Sequence, residues 1–192
     1  MNRIDKLEAK VRELYEAKYP DRADWADWLY ENHVFIVADF AVELAKRFGG
    51  NVEYSQASAM LHDIADSKMK RFDSGHETES LQIAKNLLKE SGYNEEEMGL
   101  IVDDAIKYHS CHDGMIPNSV EGRVLATADA LAHLKTSFYE YFSTALLEEK
   151  TPDEVKQSTL SKLDRDFNNK VLFSEVKDEV EPDYRRLKTL YS

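Results

Sequence analysis

The chain has 192 residues, a net charge of −12 and a single cysteine, Cys111. It is long enough to bury a core without disulfides or a structural metal, and one thiol excludes an internal disulfide and fits a reducing compartment. Its acids are spread along the chain with no basic patch, which argues against a nucleic-acid partner; a small phosphate ester stays compatible because bound divalent metals reverse the local sign.

Met1 to Tyr19 is charged and amphipathic, with Ile4, Leu7, Val11 and Leu14 at helical spacing, which is a helix and not a signal peptide. A long helix is expected over 24–48, ended by Gly49-Gly50, then a shorter one over 52–62. Residues 64–75 and 110–119 read as connecting loops. The helix over 76–91 opens on Ser74-Gly75-His76-Glu77, which has the form of a capping box, and stops at Gly92. Asn94 with Glu97 opens a helix over 95–109. Helices follow over 121–147, over 152–170 from the cap Thr151-Pro152-Asp153-Glu154, and over 182–191. With no strand alternation, repeat or low-complexity tract, the expectation is an all-α single domain over 1–192, its terminal helices packed on a central bundle. No stretch approaches the roughly 18 apolar residues of a membrane span, so the expected setting is the cytoplasm, away from membranes.

The functional signal lies in polar residues that occupy apolar stripes. His33 shares a line with Val37, Phe40 and Leu44, and His109 continues Met98, Val102 and Ala105. His76 precedes Ser80, Ile83 and Leu87. Asp129 sits in the nearly apolar run Val124 to Ala132, where an unpaired carboxylate is costly. His62-Asp63 ends the small-residue run Ala57 to Leu61. Neighbours on a helix diverge by about 100°, but at a helix end both can turn to one centre. A lone inward histidine is ordinarily a hydrogen-bonded core residue, and a lone aspartate ordinarily a cap or ion-pair partner. Several of them on separate helices suit a borderline divalent metal such as Fe, Mn, Co, Ni or Zn, with Mg also compatible.

The order His33, His62-Asp63, Asp129, with the local text Ala59-Met60-Leu61-His62-Asp63-Ile64-Ala65-Asp66 and Ala126-Thr127-Ala128-Asp129-Ala130-Leu131, resembles the signature of the HD superfamily of metal-dependent phosphohydrolases over roughly residues 30–135. Gly75-His76-Glu77 and Ile106-Lys107-Tyr108-His109-Ser110 are similar to its binuclear branch. The resemblance implies an HD-type helical bundle, with residues 1–23 and 150–192 as flanking helices. It implies that His33, His62, Asp63 and Asp129 hold one divalent ion, and that Asp63 bridges to a second on His76 and His109. The activity implied is attack by a metal-activated water on a nucleotide or other small phosphate ester. His112 competes with His109 as a ligand, and His133 reads as a core or supporting residue. Asp63, Asp66 and Lys68 are the candidate catalytic side chains; Lys68 or Arg71 could meet a phosphate or be solvated loop charges. Tyr108 and Phe72 could stack on a base or simply pack, and Cys111 reads as structural. The same ligand set would serve an oxygen-dependent binuclear iron site, and the scaffold could serve as a nucleotide-binding regulatory module. A homo-oligomer is compatible with the apolar faces of the terminal helices.

Overall fold

With few glycines and prolines to interrupt it, the backbone closes its hydrogen bonds locally. The computed structural model describes residues 2–192 and places α1 at Arg3–Glu16, α2 at Ala26–Leu29, α3 at Phe35–Phe48, α4 at Val52–Leu61 and α5 at His76–Ser91. These are followed by α6 at Glu95–Met98, α7 at Val120–Lys135, α8 at Phe138–Leu146, α9 at Pro152–Arg165 and α10 at Ser174–Tyr191, with no strand among the described residues. The all-α expectation is met.

The core is built on α3, α4 and α7, which pack against one another. Ala126, Ala128, Ala130 and Ala132 of α7 and Ala57 and Ala59 of α4 are fully buried. Such small side chains let helix axes approach closely, which brings the polar residues interspersed among them within reach of each other. Helix α1 lays Leu7, Val11 and Tyr15 on this core.

Three π-helical turns interrupt the α-helical ladder: Tyr30–Val34 between α2 and α3, Gly99–Ile106 after α6, and Asp166–Lys170 after α9. Such turns recur at functional sites because the extra residue re-aims side chains. The first carries His33, the second leads to His109, and the third carries Asp166 and Lys170.

The caps mostly follow the sequence reading. Gly92 ends α5 in the left-handed region (φ 98°), and the Asn94–Glu97 and Thr151–Glu154 capping boxes both form. Ser74 does not cap α5; Gly75 takes that position with φ 93° and no side-chain bond. The expected single helix 121–147 breaks at Thr136, whose backbone is extended and whose Oγ1 donates to Ala132 O (2.6 Å) and accepts from Phe138 N (3.2 Å). A threonine hydroxyl thus replaces the helical ladder locally and re-aims Phe138. The last helix starts at Ser174, not 182: Val176, Val180 and Leu187 are buried on one stripe, and that burial outweighs the bond lost at Pro182. The loops are partly ordered, with 3₁₀ turns at Ile64–Ser67 and His112–Gly114.

Glu97 ties three helices. Its carboxylate accepts from Arg3 Nη1 (3.0 Å), Tyr54 OH (2.9 Å) and the Asn94 N–H (2.8 Å), and Arg3 foremost holds its pKa down to about 2. Glu97→Ala is expected to cost about 2 kcal/mol, a fall in Tm of about 5 °C for a chain of this size. Because the folded pKa is depressed, the difference from wild type is full above pH 4.5 and closes as pH falls toward 2. Melts of both proteins across that range measure it.

Candidate metal centre

His62 and Asp63 converge because the chain changes direction between them. His62 is the C-cap of α4 and keeps helical dihedrals (φ −58°, ψ −35°), while Asp63 has left the helix (φ −123°, ψ 30°). His62 Nδ1 lies 2.7 Å from Ala59 O and His109 Nδ1 lies 2.6 Å from Ile106 O. A carbonyl only accepts, so both rings carry a proton on Nδ1, and Nε2 is the nitrogen left to face the centre. Asp129 Oδ1 then sits among imidazole nitrogens: His33 Nε2 at 3.1 Å, His133 Nε2 at 3.3 Å and His62 Nε2 at 3.7 Å. His62 Nε2 is 3.5 Å from Asp63 Oδ2.

Three buried atoms of these residues, His33 Nδ1, His62 Nε2 and Asp129 Oδ1, make no hydrogen bond, and the last two face each other at 3.7 Å. Buried polar atoms are nearly always paired, so unpartnered imidazole and carboxylate atoms at one point call for a further partner, which a cation would supply. One ligand atom from each of His33, His62 and Asp129 falls within a 4.8 Å span, as it does for His62, Asp63 and His109. The two triads share His62. Imidazole and carboxylate donors of this kind fit a divalent transition metal.

Electrostatics keep the donors in ligand form. Burial lowers the pKa of His33, lowers that of His109 to about 4 and lowers that of His133 to about 3, so all three rings are neutral at pH 7. Burial opposes the ionisation of Asp129, but the Lys170 ammonium in contact with it outweighs that and holds the carboxyl well below the usual range. Asp63 is likewise held down, against burial, by the Arg71 guanidinium.

Of the residues expected from sequence, His33, His62, Asp63, His109 and Asp129 come together, and His76 does not join them. His76 Nε2 lies 2.9 Å from Asp66 Oδ1. Arg71 donates to both Asp66 Oδ2 (2.7 Å) and Asp63 Oδ2 (2.6 Å), giving a chain Asp63–Arg71–Asp66–His76 that fixes the first carboxylate. Asp66 is fully buried and serves this chain; it does not line the cleft. Lys68 lies over the Tyr19 ring, 5.5 Å from its centroid, and is also absent from the cleft wall. His112 and Phe72 line the cleft, Tyr108 does not, and Cys111 is buried with its thiol pKa pushed up by that burial.

Two residues that brace the site, Lys170 and Asp166, escape the sequence reading. Lys170 is buried and its ammonium rests on Asp129 Oδ2. Asp166, fully buried, accepts from Tyr139 OH (2.6 Å), pairs with Lys162 (3.2 Å) and lies 2.8 Å from His133 Nδ1. Because neutral His133 gives its Nδ1 proton to Asp166, its Nε2 lone pair also faces Asp129, an orientation typical of rings that support a metal site. The available signal was the spacing Leu163, Asp166, Phe167, Lys170, a buried stripe at i, i+3, i+4 and i+7.

The sequence model of the HD domain family matches residues 30–134, a span that contains all five converging donors. Ribonuclease Y of Petrotoga mobilis is 34% identical over 100 residues, covering 52% of this chain and 17% of that protein; the chain thus spans less than a fifth of that relative's length. No solved structure matches the chain. The match covers more than half of the sequence, so the chain belongs to the HD domain family, whose members are in general metal-dependent phosphohydrolases.

Proposed function

We propose that this protein hydrolyses a small, nucleotide-like phosphate ester with one divalent transition metal ion held by His33, His62, Asp63 and Asp129, and with His109 as a fifth donor. The observation that carries the reading is the pair of unbonded buried atoms, His62 Nε2 and Asp129 Oδ1, in a centre whose side chains open on a cleft of about 420 Å³. That volume lies in the range of sites for small organic ligands. A bound divalent ion supplies Lewis acidity and an acidified water. The chain supplies the rest: the Arg71 guanidinium fixes Asp63 and lines the cleft, and Lys170 balances Asp129.

Charge favours a small ester over a polynucleotide. Against a net charge of −12, Arg71, Lys150, Lys162, Arg165 and Lys170 all line this one cleft. Cations gathered in a concave site focus the field on a compact anion, whereas a nucleic acid needs them along a surface track.

Elemental analysis of wild type, Asp63→Ala and His76→Ala, each reconstituted with Mn, Fe, Co, Ni or Zn, tests the assignment. One ion per chain is expected in wild type and in His76→Ala, and little in Asp63→Ala, with hydrolysis across a phosphate-ester panel following metal content. Two ions in wild type and one in His76→Ala would instead make His76 a ligand of a second site. No bound metal, or metal with no ester hydrolysed, would sink the hydrolase reading.

A further inference from the structure

The cleft has a wall that lies outside the family-matched segment. Lys150, Ser158, Ser161, Lys162 and Arg165 all line it. The last four sit at i, i+3, i+4 and i+7 of α9, one face of that helix. Most cations of the cleft already have carboxylate partners: Arg71 has Asp63 and Asp66, Lys162 has Asp166, and Lys170 has Asp129. Two do not. Lys150 Nζ donates only to Ser158 Oγ (3.0 Å), and Arg165 forms neither an ion pair nor a side-chain hydrogen bond among the described residues. The Arg165 Nε is buried with no partner at all.

A guanidinium that serves packing alone ordinarily satisfies its buried N–H groups, since leaving one unpaired is costly. The unpartnered Arg165 Nε on the wall of a ligand cleft calls for an acceptor, and the exposed Lys150 on the same wall adds a cation with no carboxylate partner, which favours an anionic one. Phosphate suits it best, because its oxygens match the planar fork of arginine and can also accept from the adjacent serine hydroxyls. The apolar side chains of Phe138, Phe142 and Leu146 line the same cleft and reduce competition from water.

We infer that Arg165 and Lys150 bind a second phosphoryl group of the substrate, so that the preferred ligands are molecules with two or more phosphates, one at the metal centre and another on α9. This inference rests on the phosphohydrolase reading above and adds to it the substrate class.

The test uses the full-length protein, with and without Mn²⁺, and compares wild type with Arg165→Met, Arg165→Lys and Lys150→Met. Calorimetry gives the affinity for methylenebisphosphonate relative to orthophosphate, and kinetics give the ratio of kcat/KM for ADP over AMP. Ratios are insensitive to any unfolded fraction. Both are expected to fall about tenfold or more in Arg165→Met, the effect of losing a charge-assisted contact, to fall several-fold in Lys150→Met, and to recover in part in Arg165→Lys. A bisphosphonate that merely chelates the ion would bind Arg165→Met as it binds wild type, and ratios unchanged within twofold in both methionine variants overturn the inference. If no ester is hydrolysed by metal-loaded wild type, the hydrolase reading fails, and the binding ratio alone still decides whether α9 holds a second phosphate.

Discussion

Lys170→Met is expected to destabilise the metal-free protein by about 3–5 kcal/mol, the cost of removing one partner from a buried ion pair. Lys170 and Asp129 are each 3% exposed, and the Lys170 ammonium contacts Asp129 Oδ2. Burial alone would lower the lysine pKa; Asp129 and Asp166 raise it instead. Without that ammonium, Asp129 keeps a negative charge among imidazole lone pairs, with no other cation in contact. The Tm should therefore fall on the order of 10 °C in chelator. Methionine fills a similar volume, so packing loss contributes little. A divalent ion at Asp129 Oδ1 would restore the missing charge, so added metal should raise the Tm of the variant more than that of wild type. Calorimetric scans of both proteins in chelator and in excess Mn²⁺ measure this. A small drop that is the same in both conditions would mean that Lys170 and the metal do not share Asp129.

This lysine also shows where the sequence stopped being informative. Asp129 was legible because a carboxylate in an almost wholly apolar helix is conspicuous, and His33 and His109 because each continues an apolar stripe. Convergence of the His-Asp pair followed from its place at a helix end. Lys170 and Asp166 lie instead in a tail of mixed polarity, and their burial depends on how that tail folds back. The same holds for Asp66: in sequence it reads as a candidate catalytic side chain just past the His-Asp pair, yet a 3₁₀ turn buries it against Arg71 and His76. His76, expected as a ligand from its position in the motif order, is held by a partner that no spacing rule identifies.

The cleft wall was hidden by one local event. A continuous helix through residues 121–147 would have carried Phe138 and Phe142 along the axis of α7. The Thr136 hydroxyl, bonded to Ala132 O, ends α7 and begins α8, placing the Phe138 ring 3.8 Å from that of His133. The aromatic side of the site, and the approach of α9 to it, follow from that break. Ser/Thr hydroxyls compete with the helical ladder in a context-dependent way, so the break is visible only once the packing is known.

Acid should destabilise the metal-free protein well before its carboxylates are neutralised. His109 and His133 have folded pKa values of about 4 and about 3, against 6.5 in the unfolded chain, chiefly because of burial; His33 shifts the same way. The groups facing His109 include Asp63, Lys170 and His62, and those facing His133 include Asp129, Lys162 and Asp166. Between pH 6.5 and 4 the unfolded chain binds protons that the folded chain excludes, so stability rises with pH there and is lost on acidification. At about 1.4 kcal/mol per pH unit, one imidazole contributes up to about 3 kcal/mol and the other up to about 5 kcal/mol across their full windows. Asp63, Asp129 and Asp166 have depressed pKa values, so their contribution is lost only below the carboxylate range. Denaturant titrations from pH 7 to 4.5, with chelator present, therefore isolate the imidazoles, and a drop on the order of 5 kcal/mol is expected over that interval. A flat profile would mean that these rings are hydrated and protonated in the folded protein, and a protonated ring has no lone pair to offer a metal. The burial that makes the metal-free protein acid-labile is thus the same property that keeps His33, His109 and His133 neutral at pH 7.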